Sequence, residues 1–259
     1  MPYSKVTGIV TRYVDYRESD RILSLFTLER GRVDVCARGC RNPKSALLPA
    51  AQQFAYGEFE LYSGKGKTTL SQANVLESFY PIREDIERYA VASSVLQLAH
   101  EAAQEEEENR RLFFLMYYTL SFLAYGEAAP DDLLLCFLTK YLDVIGYRPV
   151  IVNCAHCGTD LRDQPEVFYS LSAGGAVCGN CSTGAKVISK TALEAVRRML
   201  LLGESEMDRV RISQKIRDEL EPVLVGQVNY CVEYGTKALA FYSDFKDQTS
   251  YVNRGSNKK

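Results

Sequence analysis

Over the first eighty residues, apolar and polar side chains alternate in short stretches broken by turn residues, the period of half-buried β-strands. Val6-Thr7-Gly8-Ile9-Val10 opens the series. Ile22 to Leu28, the turn Glu29-Arg30-Gly31 and then Arg32 to Cys36 read as strand, turn and strand. Phe54 to Tyr62 leads into a second turn, Ser63-Gly64-Lys65-Gly66-Lys67, with Thr68 to Val75 beyond it. Five short strands, with a longer connection (Gly39 to Gln53) after the third, fit an OB-like Greek-key barrel. An SH3-like barrel fits the strand count nearly as well.

After Pro81 the period lengthens. Tyr89, Ala92, Leu96, Ala99 and Ala103 recur at spacings of three and four, the stripe of an amphipathic helix. Glu105 to Glu108 reads as a solvated acidic run at a loop or helix end. A second helix, Leu112 to Tyr125, stops at Gly126. Its apolar stretch is too short for a bilayer, which needs roughly 20 residues. A third helix starts at Pro130-Asp131-Asp132, buries Leu134, Phe137, Leu138, Tyr141, Leu142 and Ile145, and ends before Gly146 as a left-handed cap. Phe168 to Leu171 and Gly174 to Val177 look like a hairpin. Helices resume after Ser189, an expected N-cap. The last helical stretch, Ser213 to Phe245, carries Pro222, which should bend or break it. The polar residues from Lys246 on read as disordered.

The strongest chemical signal lies inside the helical part. Cys154-Ala155-His156-Cys157 and Cys178-Gly179-Asn180-Cys181 form two Cys-x-x-Cys pairs across a twenty-residue gap. Each short loop brings two thiolates to one side of an ion, and the second pair completes a tetrahedron. Four thiolates leave zinc no open position, so one structural Zn2+ per chain is expected on Cys154, Cys157, Cys178 and Cys181, within a zinc ribbon. His156 lies inside the first loop and is expected to face solvent or support the site from outside. The expected architecture is therefore α+β and multidomain. An OB-fold barrel (1–80) precedes an all-helical domain (81–150 and 186–245) with an inserted four-cysteine zinc ribbon (151–185) and a tail (246–259).

Composition sharpens this only in places. With 259 residues and a hydrophobic fraction of 46%, a core is assured, and a net charge of −2 gives no global sign of a polyanion partner. The charge is uneven, however. The first eighty residues carry eleven Lys and Arg against eight Asp and Glu, so the barrel is locally basic and the remainder acidic. The tightest cluster is Arg38-Gly39-Cys40-Arg41-Asn42-Pro43-Lys44-Ser45, an exposed loop by its Gly and Pro. A phosphate backbone is held by such cations and by N–H donors. The competing reading is a solvated loop that only maintains solubility. Tyr13, Tyr16, Phe54 and Tyr56 supply rings for base stacking or for core. Met1 to Lys5 runs straight into the strand pattern without signal-peptide features, so a reducing cytosol is expected, with Cys36, Cys40, Cys136 and Cys231 as buried free thiols.

Several catalytic arrangements are missing. There are two His, and His100-Glu101 lacks the second His of a metalloprotease helix. No His-x-Glu precedes the Cys pairs, as a zinc deaminase would require. No P-loop or dinucleotide-binding glycine pattern occurs, and Gly64-Lys65-Gly66-Lys67 is only a basic turn. The chain does not read as an enzyme.

The order of parts resembles the RecO family of bacterial recombination mediators, from about residue 4 to about residue 245. Asp15-Tyr16-Arg17-Glu18-Ser19-Asp20-Arg21-Ile22-Leu23 and Gly31-Arg32-Val33 look like that family's first strands, and Ala37 to Ser45 like its basic loop. Leu142-Asp143-Val144-Ile145-Gly146-Tyr147-Arg148-Pro149 leads into Cys154 as the family's helix does. Phe168-Tyr169-Ser170 and Gly174 to Cys178 are similar to its ribbon. The resemblance implies non-catalytic binding of single- and double-stranded DNA, annealing of complementary strands, and loading of RecA with RecR and the single-stranded-DNA-binding protein. It places the chain in the cytoplasm at the nucleoid, with no membrane role. Arg12, Arg21, Arg32, Arg38, Arg41, Lys44, Lys65 and Lys67 are then the expected phosphate contacts. Two alternatives stand beside this. One is a protein-interaction adaptor whose barrel docks protein while a partner supplies DNA contact. The other is a redox sensor that releases zinc on oxidation.

Overall fold

The computed structural model describes residues 3–64, 66–233, 237 and 239–246. The expected tail, apart from Lys246, lies outside them. Contacts divide the chain into two compact units, one reaching to Glu84 and including Leu96–Met116, the other built from Asp85–Val95 and the residues from Tyr117 on. The stretch Leu96–Met116, the end of one helix through the start of the next and read in the sequence as part of the helical domain, groups with the barrel residues.

In the first unit, β1 (Tyr3–Tyr16), β2 (Asp20–Thr27), β3 (Gly31–Ala37), β4 (Tyr56–Gly64) and β5 (Lys67–Glu77) form a closed barrel in the order β1-β2-β3-β5-β4. This is the OB-like option. The strands are longer than their alternation suggested, and β1 reaches 14 residues by bending at a register shift between Val10 and Arg12. The bend lets one strand pair with both β2 and β4. Four of the five junctions are antiparallel. The barrel closes through a parallel contact of β3 with β5, whose one register pair is Cys36 with Thr69. Val6, Val10, Leu23, Leu25, Val33, Val35, Phe59, Leu61 and Leu70 fill the interior, and Ala50, Ala51 and Ala55 of the β3–β4 connection complete it.

The acidic run after Ala103 is not simply solvated. Its backbone bridges the β2–β3 turn, with the Arg32 amide donating to the Gln104 carbonyl at 2.9 Å. Arg30 pairs with Glu106, and Arg32 pairs with Glu105 at 3.1 Å. Gly31, at φ +60°, makes this approach possible. A Cβ there would lie 2.2 Å from the Glu107 carbonyl oxygen and 2.3 Å from that of Gln104.

Among the described residues the helices are α1 (Ile86–Ala102), α2 (Arg110–Tyr125), α3 (Pro130–Val144), α4 (Lys190–Leu201) and α5 (Gln214–Cys231), and residues 239–246 are also helical. In the second unit α3 is the central rod. It is buried from Asp131 through Leu142 on every side, whereas its pattern suggested a single apolar face. Its buried acids are matched. Asp132 receives Arg217 at 2.8 Å, and Asp131 accepts from the Tyr242 hydroxyl at 2.9 Å and from Lys246. Gly146, at φ +90°, ends the helix with the Tyr147 amide donating to the Leu142 carbonyl at 2.7 Å. Ser189 caps α4 by accepting from the Ala192 amide at 3.1 Å. Pro222 does not break α5, which runs on to Cys231. One proline removes one backbone hydrogen bond, and the packing of Leu220, Val223 and Leu224 offsets that loss. Among the described residues no helix is long and apolar enough to cross a membrane.

Candidate nucleic-acid interface and metal centre

Strand register defines the barrel's outer surface. Val14 stands opposite Ile22, Ile22 opposite Cys36, Cys36 beside Thr69, and Thr69 opposite Tyr62. These five alternate with the core residues, so they form one band across five strands. The band is partly apolar and accessible, with Val14 50% and Tyr62 40% exposed. Arg12 lies two residues before Val14, Arg38 two after Cys36, and Lys67 two before Thr69. Alternation therefore sets Arg12 and Lys67 on the band's own face, and Arg38 stands in the turn just beyond the end of β3. Each is exposed, and none forms an ion pair among the described residues.

The other expected phosphate contacts separate from this group. Lys44 is exposed on the β3–β4 connection. Arg41 reaches Asp15 at 3.5 Å and the Arg17 carbonyl at 3.4 Å, so part of its charge is spent locally. Arg32 sits at the other end of β3, on Glu105. Arg21 is a structural cation. Its guanidinium stacks 3.9 Å from the Tyr13 ring centroid and donates to Asp15 at 2.9 Å and to the Ala51 carbonyl at 2.7 Å. It is held at the barrel mouth with its side chain 15% exposed. Lys65 lies outside the described residues. Of the expected rings, Phe54 is core.

Arg17 was not singled out by sequence. It occupies the β1–β2 turn at φ +55° and lies 5.2 Å from the Tyr16 ring centroid, with Lys67 at the start of β5 6.0 Å from the same ring. The available signal was Tyr16 followed by a cation, masked by the alternating charges of Asp15 to Arg21.

The four cysteines meet at the ribbon. β6 (Val167–Ser170) pairs with β7 (Gly175–Cys178), as the hairpin pattern suggested. A third strand, β8 (Lys186–Ile188), adds to the free side of β6 and was not legible in so short a segment. The first Cys pair is folded by the Gly158 amide, which donates to the Cys154 carbonyl at 2.9 Å, with Gly158 at φ +77°. The second pair follows β7 in a single 3-10 turn, Gly179–Cys181. Sγ of Cys154, Cys157, Cys178 and Cys181 all lie within 4.8 Å of one another, and those of Cys157 and Cys178 are 3.8 Å apart. A tetrahedron with metal–sulfur bonds of about 2.3 Å has edges of about 3.8 Å, so the cluster fits a four-coordinate ion. His156 is exposed and outside the ligand set.

The thiols are electrostatically unequal. Burial pushes Cys154 up, but amide donors from Cys157, Cys178 and His156 outweigh it and bring the thiol down to about 6. Cys181 is pushed up to about 12 by burial and by its thiol neighbours. Thiolates crowded in this way repel one another, and a divalent cation relieves that repulsion while releasing protons. The chemistry available is holding a loop pair together. With all four positions taken by sulfur, an ion there has no place for substrate. Among the remaining thiols, Cys40 and Cys136 are buried as expected, and Cys36 and Cys231 are half-buried.

Comparison with known proteins agrees with both halves. A family model described as Recombination protein O N terminal matches residues 1–79, and one described as Recombination protein O C terminal matches residues 83–240. The DNA repair protein RecO of Desulforamulus reducens is 30% identical over 262 residues, covering 99% of this chain and 100% of its own. That of Pelotomaculum thermopropionicum is 34% identical over 248 residues, 95% of each chain. That of Acetivibrio thermocellus is 31% identical over 226 residues, 86% of this chain and 89% of its own. With its OB-like barrel, helical part and four-cysteine ribbon all in the expected order, this chain belongs to the RecO family.

Proposed function

We propose that this chain is a non-catalytic DNA repair and recombination protein. It binds single- and double-stranded DNA through the barrel, anneals complementary strands, and helps load RecA together with RecR at sites coated by the single-stranded-DNA-binding protein. It works in the cytoplasm, at the nucleoid. The names of its relatives support the repair role. The observation that carries the barrel assignment is the outer band of Val14, Ile22, Cys36, Thr69 and Tyr62, bordered by the unpaired cations Arg12, Arg38 and Lys67. Such cations neutralise phosphates and release condensed counterions, which lowers the repulsion between two strands held side by side. Lys44 and Lys65 extend the basic surface in this reading, and Arg41 contributes only in part.

The metal is zinc, one per chain, and its role is structural. The cysteine set and spacing support this, since four sulfur ligands in two short loops suit zinc and close its coordination. Elemental analysis of the purified protein should return one zinc per chain.

The test is annealing of two complementary oligonucleotides, followed by fluorescence, at low and moderate salt. Stoichiometric acceleration that fades with salt is expected. Three neutralised phosphates imply about a 40-fold loss of duplex affinity between roughly 50 and 200 mM salt. The adaptor reading draws on the cations already paired with acids of this chain, Arg21, Arg32 and Arg41. Absence of both binding and acceleration at low salt would favour it and set the DNA-binding reading aside.

A further inference from the structure

We propose that Tyr16 is a base-stacking platform that gives this barrel a preference for unpaired over paired strands, with Arg17 and Lys67 holding the phosphates on either side of the stacked base. The inference rests on the DNA-binding reading above and goes beyond it, because phosphate neutralisation alone does not distinguish a base that is free from one that is paired.

Three observations meet at this residue. Tyr16 is the last residue of β1 and half-buried, so its ring is anchored by the strand and still open to solvent. It lies where two turns converge. Arg17 of the β1–β2 turn is 5.2 Å from the ring centroid, and Lys67, the first residue of β5 after the β4–β5 turn, is 6.0 Å from it. These are the two loops with which an OB barrel flanks its binding face. Finally, Arg17 holds φ at +55°, a conformation that a non-glycine residue adopts at a cost.

The neighbouring pair of Tyr13 and Arg21 supplies the contrast. There the guanidinium is 3.9 Å from the ring centroid, in full stacking contact, and is fixed by Asp15 and Ala51. That ring face is closed. Around Tyr16 the cations stand farther out, at 5.2 and 6.0 Å, both are exposed, and neither forms an ion pair among the described residues. They are free to move from the ring to a phosphate when a base takes their place. A base in a duplex presents its edges, not its face, so only an unpaired base can use the ring.

The chain contains no tryptophan, so Tyr16→Trp creates a single indole whose emission reports on this position alone. The full-length variant is titrated with oligothymidylate and with a blunt duplex of the same length. Saturating quenching by the single strand, and much less by the duplex, is expected. In the wild-type background, Tyr16→Ala should weaken oligothymidylate binding by about 5- to 150-fold and leave its salt slope unchanged. Duplex affinity should stay within about twofold, and Tyr16→Phe should bind as wild type. Arg17→Ala with Lys67→Ala should instead flatten the single-strand salt slope by about 1.4. Circular dichroism melting of each variant separates loss of fold from loss of stacking, and Tyr16→Phe and Tyr16→Trp keep the ring if Tyr16→Ala unfolds. Equal weakening of both strand forms, or equal quenching by both, would overturn the platform while leaving DNA binding intact. No binding of either form by the wild type would remove the DNA-binding reading itself and the platform with it.

Discussion

Arg21 and Arg38 are both cations of the basic segment, and their surroundings give them opposite roles. Replacing Arg21 with Ala removes a stacked ring contact and two hydrogen bonds and leaves Asp15 beside an emptied barrel mouth. We expect a loss of about 1–3 kcal/mol in urea-monitored stability. Replacing Arg12, Arg38 and Lys67 together should leave stability nearly unchanged and reduce the duplex salt slope by about 2.7. A steep slope in that triple variant would move the phosphate contacts elsewhere. His100 belongs to the same scale. It is buried, with Nδ1 3.0 Å from the Thr11 hydroxyl. Its pKa is lowered, first by burial and then by Arg32 and Arg12, against the opposing pull of Glu101 and Asp34. The unfolded chain therefore takes up this proton at a higher pH than the folded one. Stability from the neutral ring is present above the ordinary His value and is lost as pH falls through the lowered folded value. Thermal melting at pH 7.5 and at pH 5.5 should show a drop that His100→Gln lessens. Sequence could name these residues as basic or titratable. It could not tell a spent cation from a free one, because that depends on Asp15, Ala51 and Glu105, which are brought near only by the fold.

At the level of elements, glycines and cysteines were the legible parts. Gly146 as a helix stop, Ser189 as a cap and the two Cys pairs each follow from local chemistry, and each is found where it was expected. What local chemistry could not give was β8, whose three residues carry too short a pattern, or the docking of the Gln104–Glu108 segment, whose charges read as solvated. Two predictions belong here. Gly31→Ala should cost at least about 1 kcal/mol, because it places a side chain at φ +60° against two carbonyl oxygens, and a lower urea midpoint would register it. Chelation, or Cys154→Ser, should speed amide exchange in β6, β7 and β8 and release Tyr169, which is 2% exposed in the native ribbon. The barrel strands should keep their protection. Metal uptake should weaken as pH falls, since protons compete for the sulfurs that the ion needs.

On the scale of the whole molecule, the order barrel, helices, ribbon, helices was readable from changes of period along the chain. The grouping of Leu96–Met116 with the barrel was not, because helical periodicity identifies a buried face without saying what covers it. The way the barrel closes has a consequence of its own. Four of its junctions are antiparallel ladders, and the fifth, between β3 and β5, carries one parallel register pair. That junction is the clasp of the hoop. The half-buried thiol of Cys36 sits on this clasp. The rate at which Cys36 reacts with a thiol reagent therefore reports how well this junction is covered. It should slow when a strand lies across the outer band and shields the thiol.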